Sequence, residues 1–128
     1  YLRKRKLITY VSSKDRRLTV TKQGFNQALT QAFRALRVSR PESWDGAWRL
    51  VIFDIPERHK WGRDEFGKKL CELGFHRLQD SVFIIPYPCQ EEVKFLASIF
   101  SVEYYVRFLE TSILEGDDDL RDIFDLAK

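Results

Sequence analysis

The stretch Trp48–Glu57, WRLVIFDIPE, constrains this chain more than any other. Apart from Arg49 it is a run of large apolar and β-branched residues that ends in one carboxylate, Asp54, shortly before Pro56. Four to eight such residues closed by a breaker read as a buried strand. Pro56 has no backbone N–H to donate, so pairing is expected to stop near it. Asp54 then falls at the carboxyl end of a central strand, where a charge is costly unless it meets water, a metal or a partner.

Charge divides the chain in two. Residues 1–40 hold eleven Lys or Arg against the single acid Asp15, a formal +10, whereas residues 41–128 hold eleven against eighteen, a formal −7; the whole chain is left at +3. A split of this kind predicts two modules with different partners, the basic one facing a polyanion. Arg40-Pro41-Glu42-Ser43 marks the expected boundary. No apolar run approaches the ~20 residues that span a bilayer, and no charged-then-apolar leader opens the chain. The expected location is the cytoplasm, with no membrane partner. Cys71 and Cys89 lie far apart outside any C-x-x-C pattern, so they read as buried or half-buried free thiols rather than a zinc site or disulfide framework.

In the basic part, Arg3-Lys4-Arg5-Lys6 forms an uninterrupted cationic run. Ile8–Val11 and Arg17–Thr21 have strand character around the turn residues Ser12–Asp15, which predicts a hairpin with Lys14, Arg16 and Arg17 at its tip. Thr21 is a reasonable N-cap for a helix to about Arg37, with Phe25, Leu29, Ala32, Phe33 and Leu36 as its apolar stripe. This order resembles the second half of a winged helix-turn-helix domain: tail of the recognition helix, wing, closing helix. By that likeness the part completing the domain would precede Tyr1, and the chain is expected to be a fragment. Arg3, Lys4, Arg5, Lys6, Lys14, Arg16 and Arg17 are the expected nucleic-acid contacts, because each Lys or Arg that meets a phosphate releases counterions.

Beyond the boundary, the pattern predicts a helix over His59–Leu73 with Trp61, Phe66, Leu70 and Leu73 on one face and Gly74 as its stop. Gly62 and Gly67 weaken it, each by ~1 kcal/mol against Ala, unless they permit a close approach. Phe75–Pro88 is long for one strand, so a tight turn near Asp80-Ser81 is expected. Gln90–Phe100 reads as a second helix on Val93, Leu96, Ala97 and Phe100, Tyr104–Leu109 as the last strand, and Glu115–Lys128 as a closing helix. Residues 48–109 therefore spell β-α-β-β-α-β, an α+β ferredoxin-like unit. The expected organisation is a partial winged-helix segment at 1–40, the ferredoxin-like domain at 44–115 and a C-terminal helix at 116–128. The bare sheet face needs cover, from a partner subunit or the terminal helix.

WDGAWRLVIFDIPE, the helix with Arg63-Asp64, and LGFHRLQDSVFIIPYP together resemble two related groups. One is the PaaX type of bacterial transcriptional regulator, with a winged-helix N-terminus and a ferredoxin-like central domain. The other is the CRISPR-associated family Cas-two, small dimeric ferredoxin-like proteins of spacer acquisition, in some cases described as metal-dependent endonucleases. The shared pattern is Asp54 at the strand end with Gln79-x-Ser81-Val82-Phe83; the basic segment and the Trp44-Asp45-Gly46-x-Trp48 approach are similar to PaaX alone. The PaaX likeness implies a homodimer that binds double-stranded DNA. The Cas-two likeness implies that Asp54 and its copy across a dimer groove hold a divalent ion such as Mg²⁺ for phosphodiester hydrolysis. That group often carries an acid just after Ser-Val-Phe, where this chain has Ile84 and Ile85. Asp54 thus has a structural reading, as a strand-end or loop-capping hydrogen-bond acceptor, beside its reading as metal ligand and catalytic acid. His59 and His76 have no ligand spacing and read as surface or loop residues. Tyr104, Tyr105 and Phe108 are candidates for base stacking, with core or dimer packing set ahead of it.

Overall fold

The computed structural model describes residues 22–126. The elements are α1 (Lys22–Ala35), β1 (Trp48–Phe53), a 3₁₀ turn (Glu57–His59), α2 (Lys60–Glu72), β2 (His76–Gln79), β3 (Val82–Ile85), α3 (Gln90–Ile99), a second 3₁₀ turn (Glu103–Tyr105), β4 (Val106–Thr111) and α4 (Asp118–Ile123). The four strands form an antiparallel sheet in the order β2-β3-β1-β4. With the two intervening helices this is the ferredoxin-like α+β arrangement. The hairpin Ile8–Thr21, its wing assignment and all seven expected nucleic-acid contacts lie outside the described residues, as does Ala127.

β1 is central, paired with β3 and β4, and is buried on both faces. That is why its sequence is a continuous apolar run and not an alternation. Val51 and Phe53 face the main core, with Phe66 and Leu70 of α2 and Val93 and Leu96 of α3. Trp48 and Leu50 face the other side and, with Ile84, pack beneath Leu120 of α4. The terminal helix therefore covers part of the second sheet face. Pairing closes where Pro56 required it: the Phe53 amide donates to the Ser81 carbonyl and the Asp54 amide to the Tyr105 carbonyl, both at 3.0 Å.

Local chemistry sets the remaining boundaries. Gly74 takes φ +107° and ends α2, its amide donating to the Cys71 carbonyl at 3.1 Å; an L side chain there would be strained. Asp80-Ser81 is the two-residue turn joining β2 and β3. Glu91 and Glu92 occupy the first turn of α3, where the helix dipole favours acids. α1 packs its Ala28, Leu29, Ala32 and Phe33 on the main core, and Leu36 just beyond it is buried outright. Phe33 meets Phe100 edge-on at 5.9 Å, and the Lys69 ammonium lies 4.4 Å from the Phe33 ring centre.

Four expectations are corrected. Trp61 is 71% exposed and leaves the α2 core face; its ring rests edge-on against Phe100 at 5.6 Å instead. The last strand begins at Val106, two residues late, because Glu103–Tyr105 turns as a 3₁₀ segment that returns the chain to the sheet. The closing helix spans Asp118–Ile123, shorter than expected, with Leu120 buried and Ile123 exposed. Cys71 is exposed, while Cys89 is buried and free as anticipated.

Candidate functional site

β1 carries Asp54 to the sheet end and leaves it exposed just past the last paired residue. Its amide is used in the sheet, but its carboxylate takes no hydrogen bond or ion pair among the described residues. The hydrogen-bonded strand-end role is therefore absent there. Mg²⁺ keeps several waters and is usually held by one or two protein carboxylates; among the described residues no group of three or more His, Cys, Asp or Glu gathers to hold a metal. Glu57 is turned to Arg63, which donates to it at 3.2 Å, and Asp64 accepts from Lys60 at 3.0 Å. The hydrogen bond from Lys60, with a further one from Arg63, holds the Asp64 carboxyl below the usual carboxylate range.

The other candidates scatter. His59 lies in the 3₁₀ turn, 5.5 Å ring to ring from Tyr105, whereas His76 sits in β2 rather than in a loop. Tyr105 accepts a hydrogen bond from Arg58 at 3.0 Å and half-buries its ring; Tyr104 is 82% exposed and so is no core residue. Burial pushes the Cys89 thiol up to about 12, with Glu92 adding to the shift. At neutral pH it stays a thiol, which makes it chemically inert.

Two pieces of the recognised pattern, far apart in sequence, do meet. Arg63-Asp64 on α2 and Ser81 and Phe83 of the β2–β3 hairpin line one open groove. Sequence reasoning had no means of pairing them, because no periodicity links a helix face to a hairpin turn.

Reasoning from sequence also missed the most heavily bonded charge. Arg49, 5% exposed within β1, donates from Nε to Glu110 Oε2 at 2.6 Å and from Nη2 to Asp45 Oδ2 at 2.6 Å. Its Nη1 reaches Asp45 Oδ1, the Ala47 carbonyl and the Pro86 carbonyl at 2.9–3.0 Å. This one side chain ties the Trp44–Ala47 approach to β1, β4 and the end of β3. A lone Arg in an apolar strand is the only signal it left. On the opposite face, Trp48 Nε1 donates to Asp117 Oδ2 at 2.9 Å, Arg121 pairs with the same carboxylate at 3.1 Å, and the Arg121 guanidinium lies 4.8 Å from the Trp44 ring centre. These contacts fasten α4 to the sheet. They also hold the Asp117 carboxyl below its ordinary value, the Trp48 hydrogen bond foremost.

Beside α4 the second sheet face stays open. Ile52 and Val82 are half-buried and cross-strand neighbours, and Leu109, paired with Leu50, is 40% exposed. No helix among the described residues is long and apolar enough to cross a membrane.

In a comparison with protein families, the model described as the PaaX protein central Cas2-like domain aligns with residues 41–123, well over half of the chain. No curated protein and no solved structure matches.

Proposed function

This chain belongs to the PaaX family through its central Cas2-like domain, and from that premise we propose that it is a homodimeric transcriptional regulator that binds double-stranded DNA. The observation that carries the proposal is the formal +10 of residues 1–40, immediately ahead of the matched domain. A cationic density of that kind is the electrostatic footprint of a duplex-binding segment. Arg3, Lys4, Arg5 and Lys6 act as the end of a recognition helix; Lys14, Arg16 and Arg17 act as the tip of a wing on the adjoining phosphates. Residues 44–115 form the platform on which two copies meet, and 116–128 close the sheet beside it.

The test is a duplex titration over a range of salt, with and without Mg²⁺, followed for both retention and cleavage. Replacing Arg16 and Arg17 together by Ala is expected to weaken binding and to reduce the slope of log K against log salt by about 1.8, since each lost phosphate contact removes ~0.9. An unchanged slope would discard the wing assignment. Cleavage that requires Mg²⁺ and disappears in Asp54→Asn would replace the regulator reading by a nuclease.

Dimerisation has its own readout. The open strip of Ile52, Val82 and Leu109 supports a contact between sheet faces, because apolar residues on an uncovered face gain by burial. Light scattering is expected to give a dimer for the parent chain and a monomer for Leu109→Asp. A monomeric parent, or a Leu109→Asp chain that dimerises as well, would reject the platform.

A further inference from the structure

The groove between α2 and the β2–β3 hairpin has a volume of about 610 Å³, within the range of small-molecule sites. Arg63 and Lys68 from α2 and Arg77 from β2 all line it. None of the three is firmly committed. Arg63 pairs with Glu57 and Asp64 at 3.2 and 3.5 Å, and Arg77 with Asp80 at 3.3 Å, and all three acids are largely exposed. Such pairs are weak and exchange readily. Lys68 is exposed and has no hydrogen bond or ion pair among the described residues.

Gly67 supplies an independent observation. It lies inside α2 and lines the same groove, although Ala there would favour the helix by ~1 kcal/mol. Packing does not account for it. A Cβ on Gly67 would stand 3.5 Å from Phe83 Cζ, an ordinary contact, whereas one on Gly62 would press to 3.1 Å from the Phe100 carbonyl oxygen. Gly62 is thus required by its neighbours and Gly67 is not. What Gly67 preserves is bare backbone on the groove wall, the feature that lets a ligand come close.

We propose that this groove is a binding site for a small phosphate-bearing molecule, held by Arg63, Lys68 and Arg77 against the Gly67 backbone. Guanidinium groups match phosphate oxygens two at a time, and the ammonium adds a point charge. The Ser81 hydroxyl on the hairpin side offers one further hydrogen bond. Asp64 and Asp80 line the same groove, so a bound phosphate has to displace them from Arg63 and Arg77.

Inorganic pyrophosphate is a suitable probe, titrated into the full chain by calorimetry at physiological ionic strength, with sulfate as the comparison anion. The expected result is saturable binding at one site that Lys68→Ala and Arg77→Ala each weaken about tenfold, the loss of one charge-assisted contact. Gly67→Ala is expected to keep or raise Tm and yet to weaken binding. The Arg16→Ala/Arg17→Ala chain should bind as the parent does, which separates the groove from the basic segment. Absence of saturable binding at millimolar pyrophosphate, equal response to sulfate, or binding lost only with Arg16 and Arg17 would overturn the proposal. So would a Gly67→Ala chain that binds as tightly as the parent or melts earlier. The inference does not depend on the regulator reading: duplex binding can fail while the groove binds, and the reverse.

Discussion

Replacing Trp48 by alanine is expected to destabilise the fold by about 3–5 kcal/mol, the range for deleting a large buried aromatic. Trp48 is fully buried on the sheet face beneath α4. Its ring lies 5.0 Å from that of Trp44 and 5.9 Å from that of Phe124, tilted against both. Alanine would leave a cavity walled by Leu50, Ile84 and Leu120, and β1, paired on both sides, cannot move in to fill it. Domains of this size hold a total of roughly 5–15 kcal/mol, so the variant would stand close to its unfolding limit. Urea unfolding followed by tryptophan fluorescence and circular dichroism measures the loss. Trp48→Phe keeps most of the ring contact and drops only the donation to Asp117, so it should cost a fraction as much while hydrogen exchange at Leu120–Phe124 accelerates. A Trp48→Ala loss below 1 kcal/mol would show that α4 does not seal this face.

Arg49→Ala is the second large effect, expected at about 2–3 kcal/mol. Removing one partner of a fully buried pair costs ~3–5 kcal/mol, but here Asp45 and Glu110 are about half exposed and can turn to water. The carbonyls of Ala47 and Pro86 lose a donor with less relief. Arg49→Met, which retains the volume of the stem, should cost less than alanine. The effect is also pH-dependent. The Arg49 guanidinium, through its hydrogen bonds, holds the Asp45 carboxyl below its ordinary value. A carboxyl lowered in the folded state adds stability that is fully present above its unfolded value of about 3.9 and is lost as pH falls through the folded one. The gap between parent and Arg49→Ala should therefore be widest near neutrality and narrow below about pH 4. Urea midpoints at a series of pH values would test this; a constant gap would remove Asp45 from the account.

Much of the fold was legible because each element carried its own local signal. The apolar run with Pro56 behind it located β1, Asp80-Ser81 located the hairpin turn, and Gly74 located the end of α2. The misreadings arose where burial is decided by a distant neighbour. Trp61 has helical spacing with Phe66 and Leu70, yet its ring stays largely exposed and leans on Phe100 rather than entering the core. Tyr104 has strand composition, yet the chain still needs a 3₁₀ turn to reach β4, and that turn leaves the ring in water.

The site was less legible than the fold. Asp54 was identifiable as a strand-end carboxylate, but spacing along the chain could not show that no group of three or more metal-binding side chains gathers among the described residues. The Arg63, Lys68 and Arg77 groove gave no sign either, since its walls are separated by most of a helix and a turn.

Sequence alone determined the element order, the family resemblance and the +10/−7 division of charge, because residue type and spacing along the chain carry these. Tertiary structure alone decided which charges are bonded and which stay available. Arg49 and Asp54 sit five positions apart on one strand; the first meets two carboxylates and two carbonyls, the second meets solvent. The difference lies in what β3, β4 and the Trp44–Ala47 approach bring to each end of β1, and that is a matter of distance in space.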